Sequence, residues 1–232
     1  MGLALLNGKH GHATSRLTRA LCLVGALLGT AAAAQPAAPG DAPALLSAVL
    51  ALPADAARGK EAFEECQGCH RRDASGRAGS NIPRLSAQHA SVIVKQILDI
   101  RSGLRSNPPM KPYVEAPVLS LQAIADIARY LQGLPVAGNI VKGDGSDAAR
   151  GQQLYARDCV ACHGAAGEGN ADLQVPMLAA QHQPYLLREL GLIRDGRRGN
   201  SNPAMAALIQ GYTAADLQAV ANHLAQLPAP GR

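Results

Sequence analysis

The chain of 232 residues has no tryptophan, one phenylalanine and five tyrosines. Large aromatics carry much of the apolar area that a small core buries. A unit built from this chain must therefore fill its interior with something else. No stretch keeps the two-residue alternation of a half-buried strand, which argues against a sheet. No apolar run reaches the roughly 20 residues of a membrane span. No basic run is interleaved with aromatics, so a nucleic-acid role has no footprint. The formal charge of +5 does not supply one, because Lys9, Arg16 and Arg19 all precede the first acidic residue, Asp41.

Those three basic residues open what reads as a cleavable export signal over residues 1–34. Ala20 to Gly29 is the apolar run, and Thr30 to Ala34 offers small residues for cleavage near Ala34-Gln35. Without that segment the chain carries 19 basic and 17 acidic residues. Cys22 would leave with the signal. Four cysteines then remain of the five, and none is left over for a disulfide, although export favours them.

All four sit in two copies of one pattern: Cys66-Gln67-Gly68-Cys69-His70 and Cys159-Val160-Ala161-Cys162-His163. C-x-x-C-H is the attachment signature of a c-type haem. Cys66 and Cys69, like Cys159 and Cys162, stand on neighbouring turns and can both form thioethers with one porphyrin. His70 and His163 are then held under the iron as proximal ligands. A thioredoxin-like pair expects a strand before the helix, and a zinc site wants four Cys or His ligands. Neither context is present. Two buried porphyrins would also fill the aromatic-poor interiors of two small units, each marginal by itself.

The repeat extends well beyond the cysteines. Ala57-Arg58-Gly59 matches Ala149-Arg150-Gly151, Gln88-His89 matches Gln181-His182, and Leu134-Pro135 matches Leu227-Pro228. The organisation this implies is an arm over 35–52, a first unit over 53–135, a Gly-containing linker over 136–147 and a second unit over 148–232. The apolar stretch 44–52 reads either as a packing helix or as a partner contact. In each unit a helix leads into the cysteines and a second begins near His89 or His182. A third begins at Ser120 or Thr213, both good N-caps. Apolar residues at Ile124, Ile127, Ala128 and Leu131, and at Leu217, Val220, Ala221 and Leu224, make one buried face on each third helix.

The sixth iron position has paired candidates. Met110 and Met205 each follow an Asn-Pro-x stretch, placed in an expected irregular loop beyond the proximal His. His/Met ligation raises the reduction potential and leaves no open site on the iron. Met177 faces Arg84 in the repeat and reads as core filler. His89 and His182 also repeat; they read as rivals for the sixth position or as helix-start or surface histidines. Pro83 and Pro176 offer carbonyls that could fix the proximal rings, or are ordinary loop prolines.

CQGCH, IPRL, AQH, VKQIL and Met110, followed by CVACH, VPML, AQH, LRELG and Met205, resemble the dihaem cytochrome c4 family, over about residues 53–228. The resemblance implies an all-α fold of two tandem class I cytochrome c domains, each of three to four helices around a covalent haem. It also implies His/Met axial pairs, a proline-loop carbonyl bonded to each proximal His, and two haem domains that face each other. The expected cofactors are two covalently bound haem c groups. The expected activity is single-electron transfer in the periplasm, with no enzymatic chemistry of its own, toward a terminal oxidase. Partners of this kind include terminal oxidases, quinol-oxidising complexes and dehydrogenases, with peripheral membrane association as a further possibility. Two alternatives stand beside it: an electron-accepting subunit of a dehydrogenase, and a haem peroxidase-like enzyme with a removable sixth ligand. The units differ in charge, with 11 basic and 8 acidic residues over 53–135 against 7 and 8 over 143–232. Lys95, Arg101, Arg105 and Lys111 are thus candidates for docking an acidic partner.

Overall fold

The computed structural model describes residues 42–229. The expected export signal and the first part of the 35–52 arm lie outside the described residues. α1 (Ala42–Leu50) precedes two similar runs of helices. The first is α2 (Ala56–Ala62), α3 (Gln67–His70), α4 (Ala90–Ser102), α5 (Lys111–Val114) and α6 (Leu121–Gly133). The second is α7 (Ala148–Asp158), α8 (Val160–His163), α9 (Gln183–Arg194), α10 (Pro203–Ile209) and α11 (Ala214–Gln226). Among the described residues there is no strand, only the single bridges Arg77–Ile82 and Asn170–Val175 at matching places.

The helix starts follow local chemistry. Ser120 caps α6 by accepting from the Ala123 amide at 3.1 Å. Thr213 caps α11 in a full capping box, accepting from the Asp216 amide while the Asp216 carboxylate accepts from Thr213. The predicted faces are the buried ones: Ile124, Ile127, Ala128 and Leu131 pack with Ile93, Val94 and Leu98 of α4. In the second half Leu217, Val220, Ala221 and Leu224 pack with Leu186, Leu190 and Ile193 of α9. α1 completes the first core by burying Val49 fully, with Leu45 and Leu46 packed beside it. This is the packing-helix reading of the 44–52 stretch.

In each half the first and last long helices cross in backbone contact. A Cβ on Gly59 would stand 2.0 Å from the Asp126 carbonyl oxygen, and one on Gly151 would stand 2.0 Å from that of Ala219. Only glycine permits such an approach. An arginine latches each crossing. Arg58 donates to both Asp126 oxygens, at 2.8 and 2.9 Å, and Arg150 donates to Asp216 at 2.9 Å. The crossing also seats a ring pair, Phe63 with Tyr130 at 5.8 Å and Tyr155 with His223 at 5.5 Å.

The irregular loops that follow the two Cys-x-x-Cys-His motifs are duplicated as faithfully as the helices. Left-handed backbone occurs at Arg71, Ala74, Gly76, Asn81 and Ala87. It recurs at Gly164, Gly167, Gly169, Gln174 and Ala180, the corresponding positions.

Candidate haem sites and the interface between them

α3 and α8 carry the proximal histidines, both buried, at 5% and 7% exposure. The His70 Nδ1–H donates to the Pro83 carbonyl at 3.3 Å, and the His163 Nδ1–H to the Pro176 carbonyl at 3.1 Å. Of the two readings of these prolines, the geometry supports ring-fixing carbonyls. With Nδ1 engaged as donor, Nε2 keeps its lone pair for a metal. Burial pushes His70 down to about 4 against the opposing pull of the Pro83 carbonyl, and it lowers His163 in the same way. A neutral ring is the form that ligates.

Cys66, Cys69, Cys159 and Cys162 are all free thiols. Burial pushes Cys66 and Cys159 up to about 11, while Cys69 and Cys162 are exposed. Each motif thus presents two unbridged sulfurs beside a neutral imidazole with a free Nε2. That donor set fits covalent haem c. Among the described residues no three His, Cys, Asp or Glu side chains converge as a metal site, so the zinc alternative has no donor set.

The distal candidates sit differently in the two halves. Met110 closes a turn through its amide to the Asn107 carbonyl at 3.0 Å, just before α5. Met205 lies inside α10, whose N-cap Asn202 accepts from the Ala204 amide at 2.9 Å. The Asn-Pro-Ala stretch is therefore a helix start and not the irregular loop expected, because Pro203 suits the first turn and Asn202 suits the cap. Met205 packs partly buried against the second core.

The repeated Gln-His pairs do something that spacing did not reveal. His182 is buried at 2% exposure, and its Nε2–H donates to the Ser75 carbonyl of the other half at 2.7 Å. Its Nδ1 accepts from the Val141 amide at 3.1 Å. The His89 Nε2–H donates to the Glu168 carbonyl at 2.8 Å. These are helix-start residues, as expected, but neither is a free surface histidine. Beside them, Gln88 pairs with both the amide and the carbonyl of Met177, at 2.9 and 3.0 Å. Gln181 pairs with both groups of Arg84, at 2.9 and 3.0 Å. The halves therefore meet through a pseudo-twofold set of side-chain to main-chain bonds.

One pair of matching positions breaks that symmetry. Arg84 is 1% exposed and donates to the Ala180 carbonyl at 2.7 Å, the Ala179 carbonyl at 3.0 Å and the Ser86 carbonyl. Its Nη2 stands 3.5 Å from Sδ of Met177, the residue at the matching position. The buried Met177 meets the filler expectation. Arg84 was not anticipated; the unequal Arg/Met match in the repeat was its only sequence signal.

Each of the four basic docking candidates has a partner within the chain, and Arg105 is buried. Arg101 donates to the Val114 carbonyl at 2.5 Å and to that of Leu119. Lys95 pairs with Asp99, and Lys111 with Glu115 at 3.1 Å. Arg105 is buried against Glu189 of the other half at 3.1 Å. Long side chains in a helical surface reach the nearest acceptor, and residue counts along a sequence do not reveal that.

Two tandem helical domains, each presenting two free thiols and an anchored neutral histidine, define a protein of the c-type cytochrome class. The family model described as cytochrome c matches residues 56–135 and again 148–228. The chain is 34% identical over 199 residues to the thiosulfate dehydrogenase electron acceptor of Stutzerimonas stutzeri (strain A1501), covering 77% of this chain and 90% of that protein. Its fold superposes with a TM-score of 0.67 and 27% identity on the crystal structure of reduced recombinant cytochrome c4 from Pseudomonas stutzeri, covering 75% of this chain and all of that one. It also matches thiosulfate dehydrogenase (TsdBA) from Marichromatium purpuratum, with a TM-score of 0.66 and 31% identity, covering 74% of this chain and 40% of that chain. The chain belongs to the cytochrome c family as a dihaem, cytochrome c4-like member. It is a dihaem c-type electron-transfer protein.

Proposed function

We propose that this protein accepts single electrons from a dehydrogenase, with a thiosulfate dehydrogenase as the candidate donor. The observation that carries this is the 34% identity along 90% of a protein named as such an acceptor. The Marichromatium purpuratum match supports the same direction. This reading departs from the terminal oxidase that the family resemblance implied. We place the protein in the periplasm, the compartment that an export signal over residues 1–34 would reach.

In this reading Cys66 and Cys69 hold one haem c, and Cys159 and Cys162 hold the second. His70 with Met110, and His163 with Met205, supply the axial ligands. Bound haem provides the one-electron iron couple. The chain keeps each proximal ring neutral and oriented by a proline carbonyl. It also buries the ring, which disfavours charge and water beside it. The fixed interface holds the two sites in one relation.

Rapid mixing of oxidised holoprotein with a thiosulfate dehydrogenase and thiosulfate tests the proposal. The expected result is growth of the reduced haem bands that requires both enzyme and substrate. Reduction no faster than with thiosulfate alone, together with rapid reoxidation of reduced holoprotein by a terminal oxidase, returns the assignment to the oxidase reading.

A further inference from the structure

We propose that Gln88 and Gln181 are positioning residues acting across the domain interface, each setting the strength of the proximal histidine in the opposite half. The Pro83–Arg84 peptide is bonded at both ends. Its carbonyl accepts from the His70 Nδ1–H at 3.3 Å, and its N–H donates to Gln181 Oε1 at 2.9 Å. The Pro176–Met177 peptide repeats this: its carbonyl accepts from the His163 Nδ1–H at 3.1 Å, and its N–H donates to Gln88 Oε1 at 2.9 Å. One peptide therefore separates each proximal ring from a carboxamide of the other domain.

The orientation of both carboxamides is fixed by their neighbours. Gln181 Oε1 accepts from the Arg84 and His182 amides, at 2.9 and 3.0 Å, and Nε2 donates to the Arg84 carbonyl at 3.0 Å. Gln88 Oε1 accepts from the Met177 and His89 amides, at 2.9 and 3.1 Å. A flip would set donors against donors and a carbonyl against a carbonyl. Both glutamines are buried, at 6% and 4% exposure, so solvent does not substitute for these bonds.

Hydrogen bonds in series polarise one another. An N–H that donates leaves its own peptide oxygen a better acceptor. A stronger acceptor at Pro83 draws harder on the His70 Nδ1 proton and makes Nε2 a stronger base. A more basic axial ligand favours the oxidised iron and lowers the potential. The same grip recurs one loop away. Gly76 donates to the His70 main-chain carbonyl at 3.0 Å, while the Ser75 carbonyl of that peptide accepts from His182. Gly169 donates to the His163 carbonyl at 2.8 Å, and the Glu168 carbonyl of that peptide accepts from His89.

This inference rests on His70 and His163 as proximal ligands, which His70→Ala tests separately through loss of one low-spin haem. The experiment compares Gln181→Leu, Gln181→Glu and Gln88→Leu in dihaem holoprotein. Each haem's potential is read by spectroelectrochemical titration, with the haems assigned by NMR of their ligated histidines. Gln181→Leu is expected to raise the potential of the N-terminal haem and to leave the C-terminal haem where it was. Gln181→Glu keeps an acceptor and strengthens it, and is expected to shift the same N-terminal haem downward. Gln88→Leu is expected to raise the C-terminal haem. Under both Gln181 variants the His70 ring N–H resonance moves, in opposite directions. Equal shifts of both haems in one variant, a shift confined to the mutated half, the same sign for Leu and Glu, or no shift at all overturns the proposal. A merely structural glutamine would loosen the interface without a signed, crossed response.

Discussion

The two halves of this protein agree in the main chain around the proximal histidines and differ in the distal stretch and in many side chains. Both cross their long helices at a glycine, and both tie the proximal ring to a proline carbonyl. Left-handed turns fall at matching positions in both. The side chains around those fixed points have drifted. Arg58 finds Asp126 on α6, whereas Arg150 finds its carboxylate about one turn earlier on α11, in the capping box. Arg84 and Met177 fill equivalent places with a cation and a thioether. Backbone geometry is therefore the constraint on a haem-holding fold, and polar partners can move while the contact they make is kept.

Removing one haem is the strongest break of this comparison. His70→Ala is expected to abolish the low-spin spectrum of the N-terminal haem only, and His163→Ala that of the C-terminal haem only, read as haem and spin state per chain. Loss of both from either variant would mean that the halves do not hold their haems separately.

Gly59→Ala and Gly151→Ala should both be severe, on the order of 3 kcal/mol or more, since each Cβ meets a backbone oxygen with no room to shift. Chemical denaturation of holoprotein checks this, and a mild effect in one half would show that its crossing can open. Arg84→Met would make the pseudo-twofold position symmetric. It should nonetheless cost about 2–3 kcal/mol, because carbonyls of Ala179, Ala180 and Ser86 lose a charged donor.

Acid should loosen both latches, since bonds from Arg58 hold the Asp126 carboxyl below its ordinary value as well. Bonds from Thr213 and then Arg150 hold the Asp216 carboxyl down at about 2, below the ordinary 3.8. A depressed carboxyl gives stability that is fully present above the unfolded value and lost as pH falls through the folded one. Stability should therefore fall between about pH 4 and pH 2, and Asp216→Asn should flatten that part of the profile.

The smallest expected effect has the opposite sign. Arg71 follows its motif with φ 65 and ψ 164, and Gly164 occupies the same conformation with φ 78 and ψ 162. That region is essentially reserved for glycine. Arg71→Gly should stabilise the first half by about 1 kcal/mol, seen as a higher denaturation midpoint.

Much of the site was legible because its chemistry is local. Two cysteines and a histidine at fixed spacing need only one helical turn to converge, and the buried faces of α6 and α11 need only helical period. His89 and His182 illustrate the limit. Their repetition was visible, yet they could be placed only between a ligand role and a helix start. Their partners are main-chain groups, which every residue carries, so no side chain in the sequence marks them. Lys95, Arg101, Arg105 and Lys111 show a related limit. A formal charge shows sign and number, but not whether a carboxylate or carbonyl stands close enough to absorb it.

The sequence alone thus determined two c-type haem signatures, their duplication, and the helices that frame them, since each follows from spacing within a few turns. The tertiary structure decided what the halves do to one another. Gln88 and Gln181 reach peptides 89 and 97 positions away. Only a folded interface brings a carboxamide to the back of the peptide that holds the opposite histidine.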